Sequence, residues 1–184
     1  PPKRYDLIRS MAEALDTLFS ADQISARLDE LAGEIDRDFP NGNLLLVGIL
    51  KGSVHLLSDL SRRLPIDCKI DFMQVSSYGD RKESSGVVQI RKDLDTNIEG
   101  VDVLIVEDIV DTGITLSHLR ELLSTRNPRS LKVVTLLSKP DARQVHPQIE
   151  YVGFEIPNEF VVGYGLDYAE RFRSLPYIAI LREG

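Results

Sequence analysis

Val103-Leu-Ile-Val-Glu107-Asp108-Ile-Val-Asp111-Thr112-Gly113-Ile114-Thr115 is the stretch on which the reading of this chain turns. Val103 to Val106 form an unbroken apolar run rich in β-branched side chains, which suits a strand covered on both faces. The run meets two adjacent carboxylates, Glu107 and Asp108. Asp111-Thr112-Gly113 then reads as a tight turn feeding a helix that carries Leu116, Leu119, Leu122 and Leu123. Acids at the carboxyl end of a parallel strand, followed by a glycine-containing turn into a helix N-terminus, make a ligand site in an open α/β sheet. The turn offers backbone N–H groups, and the hydroxyls of Thr112 and Thr115, to an anion. The acids offer oxygens to sugar hydroxyls or to a hard cation such as Mg²⁺. A Glu-Asp pair alone often just ends a strand, so the full spacing carries the inference.

Outward from this segment the strand-then-helix rhythm repeats. Leu44 to Leu50 are an apolar strand running into Lys51-Gly52-Ser53 and a helix with Val54, Leu57 and Leu60. Lys132 to Leu137 are the next buried strand, ending at Ser138-Lys139-Pro140. Residues 66–75 and 87–91 read as strands, with short ones at 151–155, 160–162 and 177–181. Ser20-Ala-Asp-Gln23 fits a capping box for a helix bearing Ile24, Leu28, Leu31 and Ile35, and a short helix is predicted over residues 5–15. Strands alternating with helices indicate βαβ units and a mainly parallel sheet flanked by helices. No good long helix follows Pro140. The expected organisation is a single domain over residues 1–184: a core of about residues 40–140, with a small cap (hood) from about residues 1–19 and 141–184.

Composition narrows the function. At 184 residues and 42% hydrophobic, the chain has material for one domain with a substantial core. A net charge of −7 disfavours non-specific nucleic-acid binding, which needs a surplus of Lys and Arg. Local groups and a metal can still present a positive field to a polyanionic substrate. Cys68 is the only cysteine, so no disulfide forms within the chain, which fits a reducing cytoplasm. No apolar run approaches the ~20 residues of a membrane-spanning helix, and the N-terminus carries no signal-peptide pattern. A cytoplasmic location, away from membranes, is expected. His55, His118 and His146 are too scattered to argue for zinc.

Parallel strands share a polarity, so one sheet edge gathers Lys51-Gly52, Glu107 to Thr115 and Lys139. Gly52 would let backbone amides approach a pyrophosphate, although Lys51-Gly52 also suits a plain strand-to-helix turn. Lys139 is a surface lysine or a ligand donor at the end of a buried strand. Residues 76–86 are long for a loop in a compact domain, as lids are. Phe160 suits either a core position or a stacking surface for a flat heterocycle. Asp167 and Arg173 could bind a cation and a pyrophosphate, or pair with each other.

These segments together resemble the type I phosphoribosyltransferases, and within them the bacterial-type hypoxanthine-guanine phosphoribosyltransferases. The resemblance runs from about Leu18 to Ile180. Its motifs are Leu50-Lys51-Gly52, Ser77-Tyr78, Val103 to Thr115, Leu136 to Pro140, and Gly153 through Arg173. The stretch from Phe160 to Tyr168 separates the 6-oxopurine enzymes from orotate, adenine and uracil relatives. The resemblance implies transfer of a 5-phosphoribosyl group from phosphoribosyl diphosphate (PRPP) to N9 of hypoxanthine or guanine. The products would be IMP or GMP and pyrophosphate, with Mg²⁺ as cofactor and a homotetramer or homodimer as the assembly.

On the matching positions, the resemblance gives Glu107 and Asp108 the ribose hydroxyls and a water-linked Mg²⁺. Asp111 becomes the general base or acid at purine N7, and Asp111, Thr112, Gly113, Ile114 and Thr115 form the 5-phosphate loop. Lys51 and Gly52 bind pyrophosphate with Arg173. Lys139 donates to the 6-oxo group, Phe160 stacks on the ring, and backbone groups of Val161 and Asp167 read the other purine edge. Asp167 also faces a Mg²⁺, while Ser77 and Tyr78 belong to a closing lid. The Leu50–Lys51 peptide is expected to be cis. Two neighbouring acids are expected to raise the proton affinity of Asp111. Ile114 stands where some relatives carry Lys in the phosphate loop, which leaves the phosphate on amides and hydroxyls; Glu159 likewise stands where those relatives have Lys. The competing readings are a regulatory protein that senses PRPP or a nucleotide on the same fold, and a xanthine-preferring transferase.

Overall fold

The computed structural model describes residues 15–77 and 88–182. In chain order the elements are β1 (Leu15–Phe19), α1 (Ala21–Asp38), β2 (Leu44–Leu50), α2 (Val54–Ser61), β3 (Cys68–Ser77) and β4 (Val88–Lys92). They continue with β5 (Asp102–Val110), α3 (Ile114–Ser124), β6 (Ser130–Ser138), β7 (Tyr151–Glu155), β8 (Val161–Val162) and β9 (Ile178–Leu181). The larger sheet has the order β4-β3-β2-β5-β6-β7, and a second sheet has the order β1-β9-β8. In the larger sheet only the β3–β4 pair is antiparallel.

The pleat divides the core into two layers, because alternate side chains of a strand point to opposite faces. Leu44, Leu46, Leu104 and Val106 pack with Ile24, Leu28, Leu31 and Ile35 of α1 and Leu56, Leu57 and Leu60 of α2. Leu45, Val47, Val103 and Ile105 pack on the other face with Leu116, Leu119 and Leu123 of α3. The sheet is therefore covered on both sides, which is why its central strands carry no polar alternation. From β2 the chain moves outward through α2 to β3; from β5 it moves the opposite way through α3 to β6. Order thus reverses between the adjacent strands β2 and β5, and a crevice opens at their carboxyl ends.

Local signals hold in detail. Ser20 Oγ accepts from Gln23 N at 3.2 Å and Ser20 N donates to Gln23 Oε1 at 2.9 Å, so the expected capping box starts α1. Arg27 of α1 reaches the edge strand β7, donating to Gly153 O at 2.9 Å and Val152 O at 2.8 Å. That covers an otherwise open sheet edge. Among the described residues no helix is long and apolar enough to cross a membrane.

Three expectations need correction. Glu107 and Asp108 lie inside β5, not beyond it, because Ile109 and Val110 still pair with Leu137 and Ser138 of β6. Leu15, placed at the end of a helix, instead begins β1 and pairs with Leu181; residues 5–14 lie outside the described residues. Tyr151–Glu155, expected in the cap, extends the larger sheet as β7. The smaller sheet is left to β1, β8 and β9.

Candidate active site

Two close backbone approaches shape the crevice at the β2–β5 reversal. The Leu50–Lys51 peptide is cis, as expected. Gly52 follows and lies so close to Asp108 that a Cβ there would overlap the carboxylate, with Cγ only 2.5 Å away. Over Gly52 sits Gly165, whose φ is +103° and whose hypothetical Cβ would overlap the Gly52 carbonyl oxygen. Both positions leave no room for a side chain, which is the physical requirement that glycine meets.

Asp111-Thr112-Gly113 turns from β5 into α3. Gly113 has φ +83° and lies against the Val145 carbonyl and Pro147. Ile114 N donates to Thr112 Oγ1 at 3.4 Å, at the amide-bearing start of α3. Glu107, Asp111, Thr112, Gly113 and Thr115 line one hollow at this turn. Residues 143–145 brace the turn from behind. Gln144 N and Val145 N donate to Thr112 O at 2.9 and 3.1 Å. The Arg143 guanidinium donates to Asp111 O and to Ser138 Oγ.

Lys139 stands beside this loop at the end of β6. Its backbone N donates to Val110 O at 3.0 Å, and its Nζ lies 3.5 Å from Asp111 Oδ2. The lysine side chain is 8% exposed and the aspartate 51%, so a buried cation meets a carboxylate that opens to solvent. Phe160 is exposed and meets Tyr168 edge-on, with ring centroids 5.8 Å apart. Val161 is buried at the start of β8. Of the two options left open for Asp167 and Arg173, pairing with each other is the one observed, at 2.9 Å. Arg173 also donates to Gly165 O, and Lys51 Nζ pairs with Glu170 at 3.2 Å.

Burial acts on the carboxylates of β5. It pushes Glu107 well above the ordinary carboxylate range, and the charge of Asp108 adds to the rise. Burial likewise holds Asp108 up to about 6, against hydrogen bonds from backbone amides. Asp111 faces the Lys139 ammonium, and the buried acids are the two before it.

A pH dependence follows from Asp108. Its folded pKa lies above the unfolded value near 3.9. The protonated native form is therefore favoured, and this contribution is present below about pH 4 and lost as pH rises through about 6. Asp108→Asn removes the titration. In protein free of divalent cations, the stability of the variant relative to the unaltered chain is expected to rise by roughly 2–3 kcal/mol between pH 4 and 6.5, then level off. Denaturant titrations across that range measure it, and a difference independent of pH would contradict the assignment.

Lys51, Gly52, Glu107, Asp108, the loop 111–115 and Lys139 thus gather at the carboxyl ends of β2, β5 and β6. Phe160, Val161, Asp167 and Arg173 come from the segment that includes β8 and the turns after it. Ser77 is the last residue of β3, while Tyr78 lies outside the described residues. Among the described residues no three His, Cys, Asp or Glu side chains converge as a cage for a metal ion. Glu107, Asp108 and Asp167 could each offer oxygen to a hydrated ion. Arg143, Ser138 and Glu170 were missed by sequence reasoning; they sit in or beside irregular stretches where no periodicity marks them.

A sheet reversal crowned by an anion-binding turn and buried acids suits an enzyme that handles an activated sugar phosphate. A family model described as the phosphoribosyl transferase domain matches residues 14–169, and the chain belongs to the phosphoribosyltransferase family. Within that family it is 56% identical over 170 residues to a hypoxanthine-guanine phosphoribosyltransferase of Mycobacterium avium, covering 89% of this chain and 84% of that one. It is 48% identical over 165 residues to the protein of the same name from Bacillus subtilis, covering 90% and 92%. A crystal structure of a hypoxanthine phosphoribosyltransferase from Staphylococcus aureus superposes with a TM-score of 0.90 at 48% identity, covering 94% of this chain and 95% of that one.

Proposed function

We infer that this chain salvages purines by moving the 5-phosphoribosyl group of PRPP to N9 of hypoxanthine or guanine, giving IMP or GMP and pyrophosphate. The observation that carries the reading is the buried Lys139 ammonium 3.5 Å from Asp111 Oδ2, on the rim of the anion-binding turn. That pair offers a donor to the 6-oxo group and an acceptor to the N7 proton of one flat base. An amino group at position 6, as in adenine, would face Lys139 donor to donor. A site built to hydrogen-bond one group rejects the wrong one strongly.

In the reaction N9 attacks C1 of the ribose, and the bond from C1 to the pyrophosphate oxygen breaks with its electron pair on the leaving group. Asp111 accepts the proton from N7 as N9 becomes bonded. Amides of Gly113 and Ile114, with the hydroxyls of Thr112 and Thr115, hold the 5-phosphate. Lys51, the Gly52 amide and Arg173 receive the pyrophosphate, and preorganised donors of this kind are worth most where charge develops. Phe160 offers its exposed ring face to the base.

The donor set also suits Mg²⁺. Glu107, Asp108 and Asp167 present only oxygen, and Mg²⁺ keeps several waters while using one or two carboxylates plus substrate phosphates, so a full protein cage is not required. Glu107 and Asp108 would hold it through water and the ribose hydroxyls, with Asp167 facing a second ion. When bound, the ion neutralises charge on the departing pyrophosphate.

The test is a panel of hypoxanthine, guanine, xanthine and adenine with PRPP and Mg²⁺. Turnover of the 6-oxopurines with no reaction of adenine is expected; indifference to the group at position 6 would overturn the reading. Lys139→Ala is expected to lower kcat/KM for hypoxanthine by about tenfold to a hundredfold, the range for one charge-assisted hydrogen bond. The KM for PRPP should change far less. Equal losses for base and PRPP would contradict the role of Lys139.

A further inference from the structure

Tyr164 occupies a place that a tyrosine rarely takes. Its φ is +48°, in the left-handed region disfavoured for a bulky side chain, and such a residue persists only where its surroundings over-determine it. The surroundings are two. Tyr164 N donates to Leu175 O at 2.9 Å, and the buried phenol donates to Asp59 Oδ2 at 2.5 Å. The ring also lies beside His55, with centroids 5.9 Å apart.

Asp59 and His55 both belong to α2, the helix that begins directly after Lys51-Gly52-Ser53. Asp59 is itself held: Arg62 takes its other oxygen, and Arg63 Nη1 donates to its carbonyl at 3.1 Å. The residue after Tyr164 is Gly165, which packs on the Gly52 carbonyl. Gly165 N donates to Arg173 O at 2.9 Å, and Arg173 donates back to Gly165 O. The Gly163–Leu166 turn is thus fixed at two points against one unit, Gly165 on the Lys51-Gly52 loop and Tyr164 on the helix behind it. Neither Tyr164 nor Asp59 lines the hollow between Glu107 and Thr115.

We propose that Tyr164 and Asp59 are a positioning pair: their buried hydrogen bond seats on the Gly52 loop the turn to which Arg173 is hydrogen-bonded through Gly165, and so sets the geometry of pyrophosphate binding. The inference rests on the activity proposed above. Misplacing such a turn by about an ångström costs up to about a hundredfold when the displaced groups hold the reacting part. Here the displaced groups are those that hold the leaving group.

The experiment measures forward and reverse kinetics of the unaltered chain, Tyr164→Phe, Asp59→Ala, Asp59→Asn and the double variant Tyr164→Phe/Asp59→Ala, well below each thermal midpoint. Tyr164→Phe and Asp59→Ala are expected to raise KM for PRPP and for pyrophosphate by about tenfold, and KM for hypoxanthine by less than about threefold. Asp59→Asn keeps an acceptor for the phenol and should fall between Asp59→Ala and the unaltered chain. The double variant should be no worse than the worse single one, as for two ends of one bond. Equal losses for base and pyrophosphate, or lowered thermal midpoints with unchanged kinetics, would overturn the proposal. An unaltered chain without transferase activity would remove the underlying reading as well, whereas an active chain insensitive to Tyr164→Phe removes only the pair.

Discussion

Replacing Asp111 by Asn is expected to lower turnover by roughly 10²–10⁴, the range for a group that moves a proton in the rate-limiting transition state. The substitution is nearly isosteric, so the carbonyl that accepts from Arg143 and the turn that follows keep their places. What would be lost, on the proposed assignment, is the proton acceptor for N7. The amides and hydroxyls of Thr112 to Thr115 are untouched, so the KM for PRPP should stay within a few-fold. The Asp111 side chain is 51% exposed, and its pairing with Lys139 is at the rim of the crevice. Asn keeps an oxygen acceptor beside the buried Lys139 but removes its counter-charge, so stability should fall by about 1 kcal/mol. Steady-state kinetics with saturating PRPP, Mg²⁺ and hypoxanthine, beside a denaturation curve, give both quantities. Near-normal turnover would remove Asp111 from the proton transfer and leave Lys139, with the backbone groups of Val161 and Asp167, as the assigned polar contacts to the base.

The contrast between Asp111 and its neighbours explains what was legible in the sequence. The run Val103 to Val106 announced a buried strand because both faces of β5 are covered, and that requirement acts on each residue locally. The same holds for the capping box at Ser20 and for Lys139 at the end of a strand. The true end of β5 was not legible: Ile109 and Val110 stay in the strand because β6 supplies partners, and no local pattern encodes a parallel neighbour. The β1–β9 pair joins the two ends of the described chain, Leu15 to Leu181, and is invisible to periodicity for the same reason. Distance in sequence also hid the site's supports. Arg143 looks like a surface arginine after a proline-containing turn until its guanidinium is found on Asp111 O and Ser138. Glu170 pairs with Lys51, which lies far earlier in the chain. The burial of Asp108 was not legible either, since it depends on packing from Gly52 and not on the spacing of carboxylates.

That packing makes Gly52 the second position where a single methyl should have a large effect. Gly52→Ala puts a Cβ on the Asp108 carboxylate, 2.5 Å from its Cγ and 3.3 Å from its Cβ. The backbone has little room to retreat, because Gly165 presses on the Gly52 carbonyl from the other side. Either Asp108 swings out of its place or the Lys51 loop lifts away from β5. Both moves would separate the groups proposed for ribose and metal, Glu107 and Asp108, from those proposed for pyrophosphate, Lys51 and Gly52. The expected result is a fall of about a hundredfold or more in kcat/KM for PRPP, with hypoxanthine binding least affected because Lys139 and Phe160 lie on other segments. Overpacking should also cost about 1–3 kcal/mol in stability. A compensating change separates the two effects. Adding Asp108→Ala removes the carboxylate and leaves only its Cβ, 3.3 Å from the new methyl, so the double variant should regain most of the lost stability and none of the activity, since the carboxylate is gone. If the double variant recovered PRPP use, the ribose-side role of Asp108 would be wrong. Wild-type kinetics in Gly52→Ala itself would mean that the close approach of Gly52 to Asp108 is not needed for catalysis.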